Sequence, residues 1–379
     1  MQFSLNEELE MTRSFVREFA ESEVAPLAGE RDEREQFDRK LFDQMGKLGI
    51  TGIPISERYG GAGSDWLTFS IVVEELARVC ASTAAALAAH TVFTAWPLYV
   101  YGDDSIKAAY LGELAMGTML GTSALPMPNN MESKISSRIA AQSGNENWLL
   151  NGAHSCVMQA GIADCYLVFA QIEPNRRRND MNAYLIESGA PGLHMEEKIQ
   201  RMGLRSFPSA KIRLEQCPVP KKNQLGVNRQ GHAMALSLAD IAHISAAAQA
   251  VGIAQGAYEA AAAYAKERKQ FGLLIGKQQG ISFKLADLWT RLEAARLLTY
   301  QAAWRKDAGL ECGREAAIAR KFSAECAVAA AIEAIQVFGG YGYMQEYRME
   351  RFLRDAKCLE SELGTGGMDF DCLSHLLDK

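Results

Sequence analysis

A charged stretch near the C-terminus contains residue types that could carry chemistry. It covers residues 351–365 and reads RFLRDAKCLESELGT. Gly364 interrupts the helical pattern, and a helix that stops at a glycine places its last side chains at a rim. The side chains just before this glycine are therefore placed where chemistry or capping can occur.

Two further stretches contain residue types that bind phosphate or approach a ligand closely. The sequence ERKQFG at 267–272 ends a helix with two cations and a glycine. Its cations could cap the negative helix end, or Arg268 could bind a phosphate. The sequence IQVFGGYGY at 335–343 is a glycine-rich break after a helix. Such glycines permit a close backbone approach to a ligand, or a sharp turn.

Other chemistries have weaker support in the sequence. The eight cysteines and six histidines are scattered, without a C-x-x-C pair or a cluster at metal spacing, so no metal site is predicted. Most of the cysteines are typical of small, reduced, apolar residues in a cytosolic protein. Gly61-Ala-Gly63 resembles the start of a dinucleotide fingerprint, but it follows no strand and is predicted to be a turn.

Composition limits the classes of function. The chain has 379 residues, enough for two or three packed units, and its net charge of -6 argues against nucleic-acid binding. The N-terminus has no signal-peptide pattern. The most apolar stretch, 84–100, is interrupted by His90 and Pro97 and predicts a buried helix rather than a membrane span. We therefore expect a cytoplasmic protein.

The periodicity of apolar residues divides the chain into three parts, which predict an α+β fold. Residues 1–115 favour helices, 116–225 favour strands, and 226–379 favour helices again. Predicted helices lie at 5–23, 42–48, 67–78, 281–295 and 317–338. Predicted strands lie at 147–152, 165–170, 182–186 and 210–216. We expect the first strand to end in the turn Asn151-Gly152, and Pro218 and Pro220 to close the middle part.

The remaining motifs extend over the whole chain: ERYGG at 57–61, MGLR at 202–205, QAVGIA at 249–254, RKQFG at 268–272, QGISFKLAD at 279–287, QVFGGYG at 336–342 and RDAK at 354–357. In this set the sequence resembles the acyl-CoA dehydrogenase family. The resemblance implies an N-terminal all-α domain, a middle β-barrel-like domain and a C-terminal four-helix bundle. It also implies FAD held in a homotetramer or dimer of dimers.

The family's reaction explains which residues it needs. A carboxylate removes the α-proton of an acyl thioester while flavin N5 takes a hydride from the β-carbon. The resemblance implies acyl-CoA or an acyl-carrier thioester as substrate and an electron-transfer flavoprotein as a partner. It also implies that FAD lies between two chains, with the isoalloxazine on the β domain of one chain and the remainder on the bundle of its neighbour.

The residues that would face the neighbour's FAD match the family, and these are Arg268, Phe271, Gln279, Gln336, Gly339 and Gly340. The residues that would face the isoalloxazine are altered. Within 126–133, Met131 replaces a glycine and Glu132 replaces a small hydroxyl residue. Cys156-Val157-Met158 stands where the family has Trp or Phe, Ile and Thr, and Met158 has no hydroxyl to donate to the flavin.

The family's base is also replaced. Its position directly before Gly364 holds Leu363, and the position used in other branches holds Ala242, beside His243 in place of an arginine. Neither Leu363 nor Ala242 can take a proton. Glu362 is next to Leu363, but neighbouring helical residues point about 100° apart, so this base would require a local rearrangement. The alternative is an ordinary exposed glutamate on the last turn of a helix. Asp240 lies near Ala242.

Three functions remain open from the sequence. The first is an FAD-dependent oxidoreductase of an acyl thioester that uses Glu362 or another group as its base. The second is a catalytically degenerate subunit that completes the FAD site of a partner dehydrogenase in a hetero-oligomer. The third is a different flavin reaction on the same fold, such as monooxygenation, which needs no α-proton base.

Overall fold

A computed structural model describes residues 4–125, 138–172 and 180–362. Helices form its first and last parts and a β-sheet its middle, which confirms the predicted α+β fold class. The N-terminal helices are α1 (Glu7–Phe19), α2 (Ala28–Arg34), α3 (Arg39–Lys47), α4 (Trp66–Val79), α5 (Ala81–His90), α6 (Trp96–Tyr101), α7 (Asp104–Ile106) and α8 (Gly112–Ala115).

Side-chain caps explain where several of these helices begin. The Asn6 side chain accepts from the Leu9 N–H, and Asp65 accepts from the Thr68 N–H, so each satisfies a backbone donor of a first turn. Asp307, at the end of a C-terminal helix, accepts from the backbone N–H groups of Trp66 and Leu67. The start of α4 is therefore fixed by a residue that lies 241 positions later in the chain.

The middle part forms one mixed sheet. Its strands are β1 (Gly121–Ala124), β2 (Arg138–Ser143), β3 (Asn147–Met158), β4 (Cys165–Ile172), β5 (Met181–Glu187), β6 (Leu193–Lys198), β7 (Ser209–Pro220) and β8 (Gln224–Leu225). The order is β6-β7-β3-β2-β4-β5-β8, and β1 pairs with β4. Strands β1 and β2 both run parallel to β4 and pair with different parts of it, whereas the other pairs are antiparallel.

One expectation about this sheet is wrong. Asn151-Gly152 is not a turn, because β3 continues through it while Gly152 pairs with Ile139 on one side and Leu214 on the other. Pairing on both sides keeps the strand extended, and Gly152 tolerates the positive φ of the adjoining bulge. Strand β7 ends at Pro220, which lies opposite Asn147 at the start of β3, and Pro218 lies within the strand.

The C-terminal part consists of long helices. They are α9 (Gly231–Glu267), α10 (Gln279–Asp307), α11 (Gly313–Phe338) and α12 (Met349–Glu362), and a hairpin of β9 (Lys269–Gln270) and β10 (Leu273–Leu274) joins α9 to α10. Small residues let α9 approach α4 closely. A Cβ at Gly252 would lie 2.2 Å from the Glu74 carbonyl oxygen, and one at Gly256 would lie 2.1 Å from that of Arg78. Only glycine permits this packing.

A buried polar network joins the first and last parts of the chain. Glu74 and Glu75 of α4 are almost fully buried. Glu74 accepts from Arg296 at 2.9 Å and from the Tyr300 hydroxyl at 2.6 Å, and Glu75 accepts from Arg17 at 2.9 Å. Charged groups in this position must be paired to avoid a desolvation cost. The network therefore fixes how α1, α4 and α10 pack together.

Two helices in the described ranges are long and apolar enough to cross a membrane. They are α9 and the stretch that begins with α11, and 78% and 56% of their most apolar windows are buried inside the fold. Burial in the bundle accounts for the apolar character of α9. The lower value for α11 means that this apolar helix keeps part of its surface exposed.

Candidate functional site

One end of the bundle gathers residues of the set predicted to face FAD. We call residues 268–279 and 336–343 the bundle end. Here α9 finishes at Glu267, the hairpin follows, and α10 starts at Gln279, while α11 finishes at Phe338 and continues into the turn at 339–343. The side chains of Gln279 and Gln336 are exposed.

Arg268 connects the two halves of the bundle end. Its backbone N–H donates to the Tyr264 carbonyl, which ends α9, and its guanidinium lies 5.6 Å from the centre of the Tyr341 ring. Beneath it Tyr264 stacks on Phe338, with ring centres 4.2 Å apart. The aromatic packing thus holds a cation beside the glycine-rich turn that follows α11.

The glycines of this turn leave open space. A Cβ added to Gly339 or Gly340 would meet no atom within 4 Å, whereas one at Gly342 would lie 2.3 Å from the Ile335 carbonyl. Gly342 is therefore required by the fold. Gly339 has a φ of 60°, which favours glycine, but packing does not explain Gly340. A ligand backbone or diphosphate could approach there closely.

The bundle end also leaves large apolar side chains in water. Phe271 is 95% exposed at a positive φ in the hairpin, Tyr343 is 89% exposed, and Phe283 on the first turns of α10 is 67% exposed. Such a concentration of exposed aromatic groups is typical of a binding surface. This end of the molecule is therefore suited to contact a ligand or another protein chain.

The second predicted region is the end of β3, which we call the β3 edge (residues 156–158). Cys156 is exposed, and Met158 is partly buried against the core. The Thr122 hydroxyl donates to the Met158 carbonyl oxygen. Neither Cys156 nor Met158 offers a hydroxyl, so the contact that the family makes with flavin N5 is absent from these two side chains.

The third region is on α9, where Ala242 and His243 are both buried. Burial, together with the charge of Arg320, lowers the pKa of His243 to about 4. His243 is therefore neutral at pH 7. Asp240 accepts from the Cys312 thiol at 3.6 Å, so its carboxylate is directed at the connection between α10 and α11.

The last described residue, Glu362, ends α12. Leu363 and Gly364 lie outside the described residues, as do Met131 and Glu132, so the structure says nothing about these four positions. Glu362 remains a predicted base, because no geometry around its carboxylate tests the role.

The MGLR motif holds α12 in place. The Leu204 N–H donates to Asp355 at 2.6 Å, and the Gly203 N–H donates to the Cys358 sulfur at 3.2 Å. Arg354 donates to Asp32 of α2 at 2.6 Å. Burial raises the pKa of Asp355 to about 6, although Arg351 and the Leu204 N–H oppose that rise. The MGLR loop and α2 therefore form a clamp that holds α12, the helix that leads to Glu362.

Sequence reasoning missed this clamp and also missed His154 and Thr122 beside the β3 edge. The glycine of the MGLR motif was a usable signal in the sequence. The structure gives its physical reason, because a Cβ at Gly203 would lie 2.2 Å from the Arg354 carbonyl oxygen. His154 had no such signal, since a single histidine in a strand is more often a core residue than a functional one. In the described ranges, no group of three His, Cys, Asp or Glu could hold a metal ion, and seven cysteines are free thiols.

Comparison with known proteins identifies the class first. Three family models match in order: "Acyl-CoA dehydrogenase, N-terminal domain" over residues 6–118, the middle domain over 131–217, and the C-terminal domain over 229–374. An acyl-CoA dehydrogenase of Bacillus subtilis (strain 168) is 40% identical over 361 residues, which is 95% of each chain.

Solved structures agree with this assignment. Butyryl-CoA dehydrogenase from Megasphaera elsdenii superimposes with a TM-score of 0.95 at 35% identity and covers 100% of both chains. A structure of PigA with FAD and proline superimposes with a TM-score of 0.93 at 27% identity and covers 100% of this chain and 99% of that one. The chain belongs to the acyl-CoA dehydrogenase family. The predicted resemblance, its fold and the class of FAD-dependent, acyl-CoA dehydrogenase-like oxidoreductase are confirmed.

The described residues fit FAD unequally. At the bundle end, the half-buried Arg268 and two unobstructed glycines suit a diphosphate. At the β3 edge, Cys156 and Met158 give the isoalloxazine no hydroxyl donor. Among the described residues, the bundle end therefore fits FAD better than the β3 edge does.

Proposed function

We propose that this chain acts as an FAD-dependent oxidoreductase of an acyl thioester, in an assembly where the bundle end of one chain completes the flavin site of another. The observation that carries the proposal is the open bundle end, where Arg268 lies beside the unobstructed Gly339 and Gly340. Bound FAD would supply the hydride acceptor. The substrate is an acyl-CoA or an acyl-carrier thioester.

In this proposal the chain's own residues bind, orient and move a proton. Arg268 would bind the diphosphate, and Gln279 and Gln336 would donate to the same neighbour-bound cofactor. Phe271 would pack against it from the hairpin. Glu362 would take the α-proton, with α12 held by the clamp of Asp355 and Arg354. An electron-transfer flavoprotein is the proposed acceptor of the electrons.

The absorbance spectrum of the purified chain tests the first half of the proposal. We expect a flavin band near ~450 nm, a property of the cofactor, and its bleaching when butyryl-CoA or a longer acyl-CoA is added. Glu362→Gln should remove the bleaching and keep the band, because the amide cannot accept the proton. Glu360→Gln, on the same exposed turn, is the matched control. An active Glu362→Gln protein would remove Glu362 from the role.

A second function is favoured by the altered β3 edge. We propose, as the alternative, that the chain is a degenerate subunit that completes the FAD site of a complete dehydrogenase. Cys156 and Met158 in place of the family's aromatic and hydroxyl residues, with Ala242 buried at the other base position, support this reading. A different flavin reaction, such as monooxygenation, is not favoured by any of these residues.

Co-expression separates the two functions. The chain is produced with a family member that keeps its catalytic glutamate, and flavin is counted per complex. One flavin per pair, together with a colourless chain when it is produced alone, would establish the subunit function. One flavin per chain in the isolated protein would exclude it. Relatives of this chain include bacterial dehydrogenases, which supports a soluble protein, and the cytoplasm remains our proposed location.

A further inference from the structure

Strands β1 and β3 lie side by side without backbone pairing. β1 pairs residue by residue with β4, from Gly121 opposite Cys165 to Ala124 opposite Val168. In the described residues, no ladder joins β1 to β3. Two side chains bridge the gap instead. The Thr122 hydroxyl donates to the Met158 carbonyl oxygen, and His154 bonds to the carbonyl oxygen of Leu125.

His154 bonds to both strands with one ring. Its Nε2 lies 2.7 Å from the Leu125 carbonyl oxygen at the end of β1, and its Nδ1 lies 3.3 Å from the backbone nitrogen of Cys156. A carbonyl oxygen only accepts and an N–H only donates, so Nε2 must carry the proton and Nδ1 must be bare. The contacts therefore define the neutral imidazole with a single tautomer.

The surroundings of the ring favour that neutral form. His154 is 4% exposed, and its partner on β7 is the fully buried Ile212. Burial lowers the pKa of His154, and its bond to the Leu125 carbonyl only partly opposes this effect. A protonated ring would also turn Nδ1 into a second donor facing the Cys156 N–H, which would lose that bond.

We propose that His154 is a positioning residue that holds the β3 edge against β1 and so fixes the wall on which the flavin ring would rest. The proposal rests on the proposed function for the flavin contact, but the bracing of the two strands does not depend on it. Cys156 is bonded directly, and Met158 is held two residues further on by Thr122.

A histidine that only fills space would behave differently from a bracing one. Leucine at position 154 would still fill apolar volume, but it would make neither bond. Asparagine would place its side-chain oxygen near the position of Nδ1 and would keep an acceptor for the Cys156 N–H. Glutamine would place its amide nitrogen near the position of Nε2 and would keep a donor for the Leu125 carbonyl.

The first experiment needs no cofactor. Amide hydrogen exchange of the full-length chain should show Cys156 N–H exchange about tenfold faster in His154→Leu, the effect of losing one buried hydrogen bond. In His154→Asn the rate should stay within about threefold of wild type, because an acceptor is retained. Imidazole nitrogen shifts at pH 7 should report the Nε2–H tautomer. An unchanged exchange rate in His154→Leu, or a ring protonated on Nδ1, would overturn the bracing role.

The second experiment adds FAD to the same proteins. We expect His154→Leu to weaken FAD binding about tenfold and His154→Gln to weaken it less than about threefold. His194→Leu, on the exposed β6, should match wild type. Equal FAD affinity in His154→Leu and wild type would overturn the flavin contact. A wild-type chain that binds no FAD would contradict the proposed function. The exchange experiment would still test whether His154 holds β3 against β1.

Discussion

The bundle end leaves its aromatic side chains in water, whereas the β3 edge is braced by groups that the chain itself buries. Phe271 and Tyr343 are 95% and 89% exposed, but His154 beside the β3 edge is 4% exposed. In the first region, packing against the described residues does not explain Gly340. The second has its backbone positions fixed by Thr122 and His154.

This difference indicates what each region needs from outside. An exposed aromatic surface gains apolar burial when a second body covers it. A braced strand edge gains little from a cover and acts instead as a rigid wall. The bundle end is therefore suited to be covered by a partner chain. The β3 edge is rigid without a partner, and its side chains Cys156 and Met158 differ from those of the family.

The largest expected effect is a loss of stability that distinguishes Gly203, which the fold requires, from Gly340, which we propose a ligand requires. Gly203→Ala should destabilise the chain by about 3 kcal/mol, since its Cβ would meet backbone atoms of Arg354 and Asp355 within 2.6 Å. Gly340→Ala should change stability by less than about 0.5 kcal/mol and should still weaken FAD binding. Urea unfolding and FAD titration measure the two quantities. Equal destabilisation by both alanines would contradict the distinction.

The next effect concerns the cation of the bundle end. Arg268→Ala should weaken FAD binding by about 2–3 kcal/mol, roughly tens to a hundredfold, because a charge-assisted bond to phosphate is lost. Lys269→Ala is the matched control, since this exposed cation is the next residue in the hairpin. Fluorescence quenching of free FAD by the full chain, or by its complex with a partner, gives the affinity. Equal losses in the two variants would mean a general charge effect.

A pH effect is expected on the β-domain side. His90 donates from Nε2 to the Leu114 carbonyl and accepts at Nδ1 from the Gly121 N–H, at the start of β1. Burial, with a smaller effect of Arg39, lowers its pKa to about 4, although the Leu114 carbonyl and Asp164 oppose this. A depressed histidine contributes stability above its unfolded pKa near ~6.5, and this contribution is lost as pH falls towards 4.

Between pH 7 and pH 5, this histidine alone should cost about 2 kcal/mol of unfolding free energy. His90→Gln should reduce the drop by about that amount, because the amide keeps a donor for the Leu114 carbonyl and does not titrate. His194→Gln, at an exposed position of β6, should keep the wild-type drop. Urea midpoints at the two pH values provide the test, and an undiminished drop in His90→Gln would contradict it.

The smallest effect asks whether the β3 edge can be returned to the family pattern. Met158→Thr supplies a hydroxyl where the family has one and should strengthen FAD retention by about 1 kcal/mol, or fivefold to tenfold. Met195→Thr, on the exposed β6, is the control for loss of a thioether. Flavin content after gel filtration is the measurement. No gain would mean that the altered segment 126–133, rather than Met158, limits binding.

The sequence predicted the helices and the fold class well because their signals are local. The apolar stripe of α10 and the small residues of α11 repeat at helical spacing, and the caps at Asn6 and Asp65 lie next to their helices. The Asn-Gly prediction failed because turn propensity at Gly152 is overridden by pairing with strands on both sides. Local chemistry cannot reveal a neighbour that is distant in sequence.

Only the parts of the site that lie within single sequence motifs could be predicted from the sequence. Arg268 and Gly339 belong to separate motifs that packing brings together, and the family resemblance supplied their common role. The bond from the Leu204 N–H to Asp355 spans about 150 residues, and the bridge of His154 to Leu125 joins two strands that do not pair. Such side-chain bonds have no periodicity, so the sequence alone gives no spacing by which to find them.

Helix α9 has a geometric consequence for the proposed assembly. At about 1.5 Å per residue, its 37 residues span about 55 Å, and Ala242 and Arg268 are separated by about 39 Å along one rod. In a two-chain arrangement, the first position would face the cofactor of its own chain and the second that of its neighbour. Because α9 packs tightly on α4 at Gly252 and Gly256, the rod cannot bend freely between them. The fold therefore fixes the spacing between these two positions.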